Sequence, residues 1–256
     1  MTADWLENRR CLFVFPHPDD EVHACTALWR RLRTAGIPVT LDALWVTTGC
    51  PSPDLYTRAE PFEEYRRQRL KGTRRAQCQL APMLDSIVNL DLTSRSTVAR
   101  ADKVRDALEA TIRAGRHDTV FVCPLEGAHP DHDLLAATVH RLLRSLPSPP
   151  ASFEYTSYHL SPAGPVTGRF ATQAGPEREI CLEPPDAELK RRLIGCYATE
   201  GLLARFPLLS ERFRATPRHL SLAAYKTGRL FYRTWDARVD WRAVHGTLSR
   251  LTDKLS

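Results

Sequence analysis

The sequence predicts an α/β fold, a parallel sheet with helices on both faces followed by a looser α+β extension. Two observations carry that prediction. Short apolar runs of strand length alternate with stretches of helical periodicity from residue 10 to residue 146, the pattern of successive strand–helix–strand units. The run Pro147-Ser148-Pro149-Pro150 then breaks this rhythm, and the remainder of the chain is less regular. A chain of 256 residues can bury one sizeable core. One domain is therefore expected over 1–256, with a core at about 9–147 and an extension at about 151–256 packed on it.

Taken in order, residues 1–9 form a polar lead-in. Arg10 to Pro16 is an apolar run ended by Pro16 and Pro18, as suits a buried parallel strand. From Glu21 to Ala35 the apolar positions Val22, Ala24, Cys25, Leu28, Trp29 and Leu32 recur at helical spacing, with Gly36 as the stop. Val39 to Val46 is a second strand, leading into a loop at Thr47-Thr48-Gly49-Cys50-Pro51. The Pro-containing stretch 51–61 is a long connection, of the kind more often functional than structural. A helix over Phe62–Leu80 carries Arg66, Arg67, Arg69, Arg74 and Arg75. Ser86–Leu92 is the third strand, Val98–Ala114 a helix closed by Gly115, Thr119–Pro124 the fourth strand and Leu134–Leu146 the next helix. Beyond the Pro-rich break, Phe153–Leu160 and Glu179–Leu182 are strand candidates around a loop at 161–176. Ala187–Phe206 has helical spacing, and Trp241–Leu255 is a closing helix.

Composition excludes several classes. No apolar run approaches the ~18 residues of a membrane span. The start lacks the basic-then-apolar order of a secretory signal. Seven cysteines form no Cys-x-x-Cys pair and are odd in number, which suits a reducing compartment, so a cytoplasmic location is expected. Of 36 basic residues 31 are Arg, giving a net charge of +6, but they are scattered as short pairs. No nucleic-acid-binding motif accompanies them, so nucleic acid is not the expected partner. A small molecule is, and a homo-oligomer stays open.

Chemistry is concentrated in two strings. Phe15-Pro16-His17-Pro18-Asp19-Asp20-Glu21 follows one apolar run, and His129-Pro130-Asp131-His132-Asp133 follows another, 112 residues later. In open α/β sheets ligands bind beyond the carboxyl ends of strands, which is where both strings begin. His17, Asp20 and His132 then supply two imidazoles and a carboxylate with a fourth position open, a typical catalytic zinc shell. Ferrous iron is the alternative, because imidazole–carboxylate sets accept both metals. Zinc in such a shell lowers the pKa of water to about 7. Asp19, beside a ligand but not one itself, is placed to take the water's proton. His129 is placed to donate to a developing oxyanion, with Asp131 holding its tautomer and favouring its protonated form. A base, a metal and a cationic donor converging on one carbonyl describe amide hydrolysis. Taken singly, either string also reads as a helix cap. Two His-Pro-Asp strings in the same strand-to-helix context favour the site.

These residues resemble the PIG-L/LmbE-like zinc N-deacetylases, which remove acetyl from N-acetylated amino sugars. His17-Pro18-Asp19-Asp20-Glu21 and His129-Pro130-Asp131-His132 carry the resemblance. Weaker echoes are Val46-Thr47-Thr48-Gly49, Arg74-Arg75-Ala76-Gln77, Glu126-Gly127-Ala128 and Glu211-Arg212-Phe213-Arg214. The resemblance implies a Rossmann-like core, His17, Asp20 and His132 as metal ligands, Asp19 as base and His129 as the oxyanion-stabilising acid. It also implies that Arg74, on the Arg-rich helix, grips a sugar hydroxyl or phosphate. Thr26-Ala27 stand where the family usually has Gly-Gly, His23 where an apolar residue is common, and Gln77 where an acid is expected. These departures bear on the substrate more than on the metal.

Glu126 and His159 are further substrate-binding candidates, the first beside the second motif and the second at a predicted strand end. The expected function is a metal-dependent hydrolase that removes the N-acetyl or N-acyl group from an amino sugar such as an N-acetylglucosamine conjugate. Its alternatives are a deacylase of a glycopeptide, secondary metabolite or thiol conjugate, and a Rossmann-like binding protein with a structural metal. An Arg-rich nucleic-acid binder is a third, and would show steeply salt-dependent affinity. No Gly-x-Ser-x-Gly or P-loop string supports serine hydrolysis or nucleoside-triphosphate chemistry.

Overall fold

The strands β1 (Arg10–Phe15), β2 (Thr40–Thr47), β3 (Ser86–Leu92), β4 (Thr119–Val122) and β5 (Ala151–Tyr155) pair in parallel in the order β3-β2-β1-β4-β5. A computed structural model describes residues 4–200, 208, 210–234 and 239–252. The hairpin of β6 (Tyr158–Ser161) and β7 (Gly164–Thr167) stands apart as a second sheet. The main sheet continues antiparallel from β5 through β9 (Glu211–Ala215) to β8 (Glu177–Ile180).

Helices on both faces explain why β1 is a continuous apolar run and not an alternating one. From Cys11 to Phe15 every residue is sealed from solvent. Phe13 stacks on Phe121 of the neighbouring strand at 4.2 Å and meets Trp29 edge-on at 5.2 Å. The same core takes in Tyr155, Ile180, Leu189, Leu193 and Phe213 from beyond the Pro-rich break.

The helices are α1 (Asp20–Ala24), α2 (Thr26–Thr34), α3 (Phe62–Leu80), α4 (Ala101–Gly115), α5 (Pro130–Ser145), α6 (Pro184–Cys196), α7 (Ala223–Thr227) and α8 (Trp241–Thr252). The extents of α3 and β3 are those expected from periodicity. α5 begins four residues earlier than expected, because His129 is its N-cap and Pro130 takes the first helical position. The second motif therefore forms the first turn of a helix.

Three differences have clear causes. The stretch 21–35 is two helices, broken at Cys25 (φ −141°, ψ −8°). The buried Glu211 carboxylate accepts from Ala27 N and Leu28 N, both at 2.8 Å, at the start of α2. Lys190 donates to Val22 O and His23 O at the end of α1, and lies 2.6 Å from Glu211. An ion pair from the C-terminal half thus caps both sides of the break. The expected strand 153–160 divides, since the chain leaves the main sheet after Tyr155. β9 was not expected, because its sequence Glu-Arg-Phe-Arg reads as charged. Those charges are paired across the fold, Arg212 with Glu179 and Arg214 with Glu154, both at 2.7 Å. Residues 201–206 of the expected helix 187–206, and 253–255 of the closing helix, lie outside the described residues.

β1 has β2 on one side and β4 on the other, so the segments leaving β1 and β4 border the crevice at which the strand order reverses.

Candidate metal centre and catalytic cavity

His17, Asp19 and Asp20 lie in the turn between β1 and α1. The turn is tight because Asp20 Oδ2 folds back to accept from the His17 backbone N–H at 3.0 Å. His132 arrives from the first turn of α5. His17 Nδ1 is 3.4 Å from Asp20 Oδ2, His132 Nε2 is 3.3 Å from the same oxygen, and the two nitrogens are 3.2 Å apart. A cation bonded to each donor at about 2.0–2.1 Å with tetrahedral angles requires donors about 3.3–3.4 Å apart. The triangle has that size and a nitrogen–nitrogen–oxygen donor set, so the residues fit a zinc-type ion. The expected trio is brought together.

Asp131 stands behind this triangle. Its carboxylate lies 2.9 Å from His17 Nε2, and accepts from Ser94 Oγ at 2.8 Å, Arg95 N at 2.7 Å and Thr97 Oγ1 at 2.6 Å. A carboxylate bonded to the far nitrogen of a ligating imidazole fixes its tautomer and turns the near nitrogen to the metal. The sequence pattern assigns Asp131 to His129, and the geometry gives it to His17. The His129 ring is 3.7 Å from Asp131 Oδ2, and its Nδ1 instead accepts from the Asp131 backbone N–H at 3.1 Å. Burial and the neighbouring His17 charge hold the His129 pKa well below the usual imidazole value. In the metal-free chain His129 is thereby held towards its neutral form, with Nδ1 engaged by the backbone.

Burial disfavours the charged form of His17, but its bonds to Asp131 and Asp20 override this and raise its pKa to about 10. Against the effect of burial, His132 and then His17 hold Asp20, and the bond to His17 holds Asp131, well below the carboxylate range. The second ligand, His132, is steadied by Ser157 Oγ, 3.3 Å from its Nδ1. Asp133 accepts from Glu126 N and Gly127 N, both at 3.0 Å, and from Tyr225 OH at 2.7 Å. It anchors the loop before α5, and burial raises its pKa to about 7.

Asp19 is held differently. Its backbone sits in the left-handed region (φ 116°, ψ −27°), strained for a residue with a side chain. Its N–H donates to Glu21 Oε2 at 2.8 Å, an oxygen that also accepts from Trp45 Nε1 at 3.1 Å, while Tyr197 OH bonds Glu21 Oε1 at 2.7 Å. Arg69 donates to Asp19 Oδ2 at 2.9 Å and to Pro18 O. Burial raises the Asp19 pKa and the Arg69 guanidinium pulls it back, leaving it at about 7. A Cβ at Gly49 would fall 2.4 Å from Arg69 Nη2, so glycine there leaves room for the guanidinium.

The three substrate-binding candidates lie elsewhere. Arg74 is exposed on α3 and lines a separate surface groove with Arg67, Lys71, Arg75, Cys78 and Gln79. Five residues turn a helix by about 140° beyond one full revolution, so Arg69 and Arg74 cannot share a face. The buried positions Tyr65, Arg69, Gly72, Thr73, Ala76 and Leu80 follow helical spacing, and that stripe, read alone, would have pointed to Arg69. Glu126 and His159 are buried against one another, 3.5 Å apart, outside the cavity lining. Glu126 also accepts from Ala171 N at 2.7 Å and lies 3.8 Å from Arg214. Alternation along β6 turns Tyr158 to the cavity and His159 away from it.

The cavity over the ligand triangle measures about 570 Å³ and is lined by His17, Asp19, Asp20, Arg69, Ser94, His129, Tyr158 and Glu200, among others. Ser94, Thr97 and Ser157 could not have been singled out from sequence, because single hydroxyl residues in loops carry no pattern.

Two solved structures resemble the fold. One is the zinc-inhibited form of teicoplanin deacetylase Orf2, at 15% identity and a TM-score of 0.57, covering 80% of this chain and 96% of that one. The other is N,N'-diacetylchitobiose deacetylase from Pyrococcus horikoshii, at 17% identity and a TM-score of 0.56, covering 85% of this chain and 88% of that one. At such identities they show the shared fold. By sequence, a probable N-acetyl-alpha-D-glucosaminyl L-malate deacetylase 2 of Bacillus cereus is 28% identical over 142 residues, 54% of this chain. This chain spans 63% of that relative's length. The family model PIG-L, described as GlcNAc-PI de-N-acetylase, matches residues 12–143, more than half of the chain and both motifs. This chain is a member of the PIG-L (GlcNAc-PI de-N-acetylase) family.

Proposed function

We propose that this protein is a divalent-metal-dependent N-deacetylase that removes the N-acyl group of an amino sugar, such as an N-acetylglucosamine conjugate, with zinc as the metal. One observation carries the reading: His17 Nδ1, Asp20 Oδ2 and His132 Nε2 form a triangle of tetrahedral size below an open cavity, with Asp19 and His129 beside them. Family membership supports it, as do the deacetylase names of the relatives.

His17, Asp20 and His132 would hold a divalent ion, which would supply Lewis acidity to an amide carbonyl and acidify water. Asp19 receives the attacking water's proton on Oδ1, since Oδ2 is engaged by Arg69. A carboxylate with a pKa of about 7 is matched to proton transfer at neutral pH. His129, with Nδ1 accepting from the backbone, presents Nε2–H to the oxygen on which charge develops. Asp131 keeps His17 oriented through Nε2 and takes no part in proton transfer.

Stripping the metal with a chelator and restoring zinc or ferrous iron, while measuring acetate release from N-acetylglucosamine conjugates, tests the proposal. Activity should vanish and return. Full turnover in verified metal-free protein would overturn it.

A further inference from the structure

The cavity holds more than an amino-sugar ring requires. Its volume of about 570 Å³ is in the range filled by drug-sized ligands, about 300–1,000 Å³. His17, Asp19, Asp20 and His129 line it at the crevice between β1 and β4, whereas the segment after β2 contributes the wall of Pro51, Leu55 and Tyr56 together with Thr57 and Arg58.

That wall is ordered before any ligand arrives. The Tyr56 ring lies 5.1 Å from Tyr65 and 5.3 Å from Phe62, and the Arg58 guanidinium covers Tyr65 at 4.5 Å. Both hydroxyls are engaged by the protein, Tyr56 OH with Glu60 O at 2.9 Å and Tyr65 OH with Glu200 Oε1 at 3.1 Å. Tyr56, half-buried, offers a ligand ring surface, and Tyr65 backs it from beneath Arg58. A preordered apolar wall adds affinity because little freedom is lost when a ligand covers it.

The guanidiniums beside this wall are held by carboxylates. Among the described residues lining the cavity, the guanidiniums Arg58, Arg69 and Arg95 are matched in number by the carboxylates Asp19, Asp20 and Glu200. Arg58 is 3.0 Å from Glu200, and Arg69 is 2.9 Å from Asp19.

We infer that the substrate is an amino sugar carrying an apolar alkyl or aryl substituent, seated against Pro51, Leu55 and Tyr56. The substituent is attached at the anomeric oxygen or extends the N-acyl group. This rests on the deacetylase reading above, and the experiment separates the two.

With the metal-loaded full chain, kcat/KM is compared for methyl, hexyl and phenyl N-acetyl-β-glucosaminides, for N-hexanoyl- against N-acetylglucosamine, and for a carboxylate-bearing N-acetylglucosamine conjugate. A methylene moved fully out of water is worth up to about fourfold, so hexyl over methyl should gain at least about tenfold. A gain confined to the glycosides places the group on the anomeric oxygen, and one confined to the N-acyl pair places it on the amide. Tyr56→Ala and Leu55→Ala should bring the ratio towards unity, Tyr56→Phe should keep it, and Arg74→Ala, outside the cavity, should not alter it. No gain in either series, a gain that survives Tyr56→Ala, or preference for the carboxylate conjugate would overturn the inference. If no amide is cleaved at all, the deacetylase reading has failed, and calorimetry with hexyl and methyl β-glucosides still measures the wall. Tighter hexyl binding that depends on Tyr56 would sustain the apolar subsite, and equal binding would end it.

Discussion

Asp19 and Asp20 are adjacent carboxylates with different surroundings, and the backbone separates them. Asp20 folds back towards its own turn and faces both imidazoles, whereas Asp19, at φ 116°, is directed to Arg69. Asp19→Asn spares the ligand triangle and should keep the metal while lowering kcat by about 10²–10⁴-fold, the usual contribution of a positioned base. Metal content by atomic spectroscopy, measured beside turnover, checks this. Loss of metal in that variant would show that Asp19 is a ligand. Asp131→Asn leaves the triangle intact but weakens the carboxylate that orients His17, and zinc affinity should fall about 10–100-fold in competition with a chelator. That His17, Asp20 and His132 meet was legible in the sequence, because His and Asp in those spacings have few other reasons to recur. Which imidazole Asp131 serves was not legible, since both are plausible neighbours in one dimension.

At the scale of elements, the break between α1 and α2 shows how the C-terminal half reaches the motif. Apolar periodicity continues through Cys25, so the stretch reads as one helix. The buried Lys190–Glu211 pair interrupts it by capping both new ends. Lys190→Met would leave the Glu211 carboxylate buried with only two amide donors. Removing one partner of a buried pair costs about 3–5 kcal/mol. Chemical denaturation should show a loss of that order, larger than for Lys190→Met combined with Glu211→Leu. The expectation for α3 was right in extent and wrong in its functional face. Arg74 looked prominent because it stands in an Arg pair, but burial at helical spacing selects Arg69. β9 was missed because strand signals read from composition do not see salt bridges formed with distant segments.

For the molecule as a whole, the ligand triangle ties the end of β1 to the start of α5, two segments 115 residues apart. An ion that binds only the folded chain stabilises it by about 4 kcal/mol at a thousand times its dissociation constant. Zinc should therefore raise the Tm. In the metal-free chain His17 holds a proton up to a pH of about 10, and ligation through Nδ1 must displace one proton. The zinc-induced rise in Tm should accordingly shrink as pH falls from 8 to 6, and scanning calorimetry at several pH values would show it. A rise independent of pH would mean that His17 is already neutral in the metal-free protein.

The order of strands and helices, the parallel core and the choice of candidate metal ligands come from local features. Period, turn residues and motif composition are properties of short stretches, and they survive without knowledge of the remaining chain. The base's strained backbone, the choice of Arg69 over Arg74, the pairing of Asp131 with His17 and the withdrawal of Glu126 and His159 from the cavity all required the folded chain. Each depends on groups separated by tens to hundreds of residues in sequence, and burial sets which of several chemically equivalent partners each one meets.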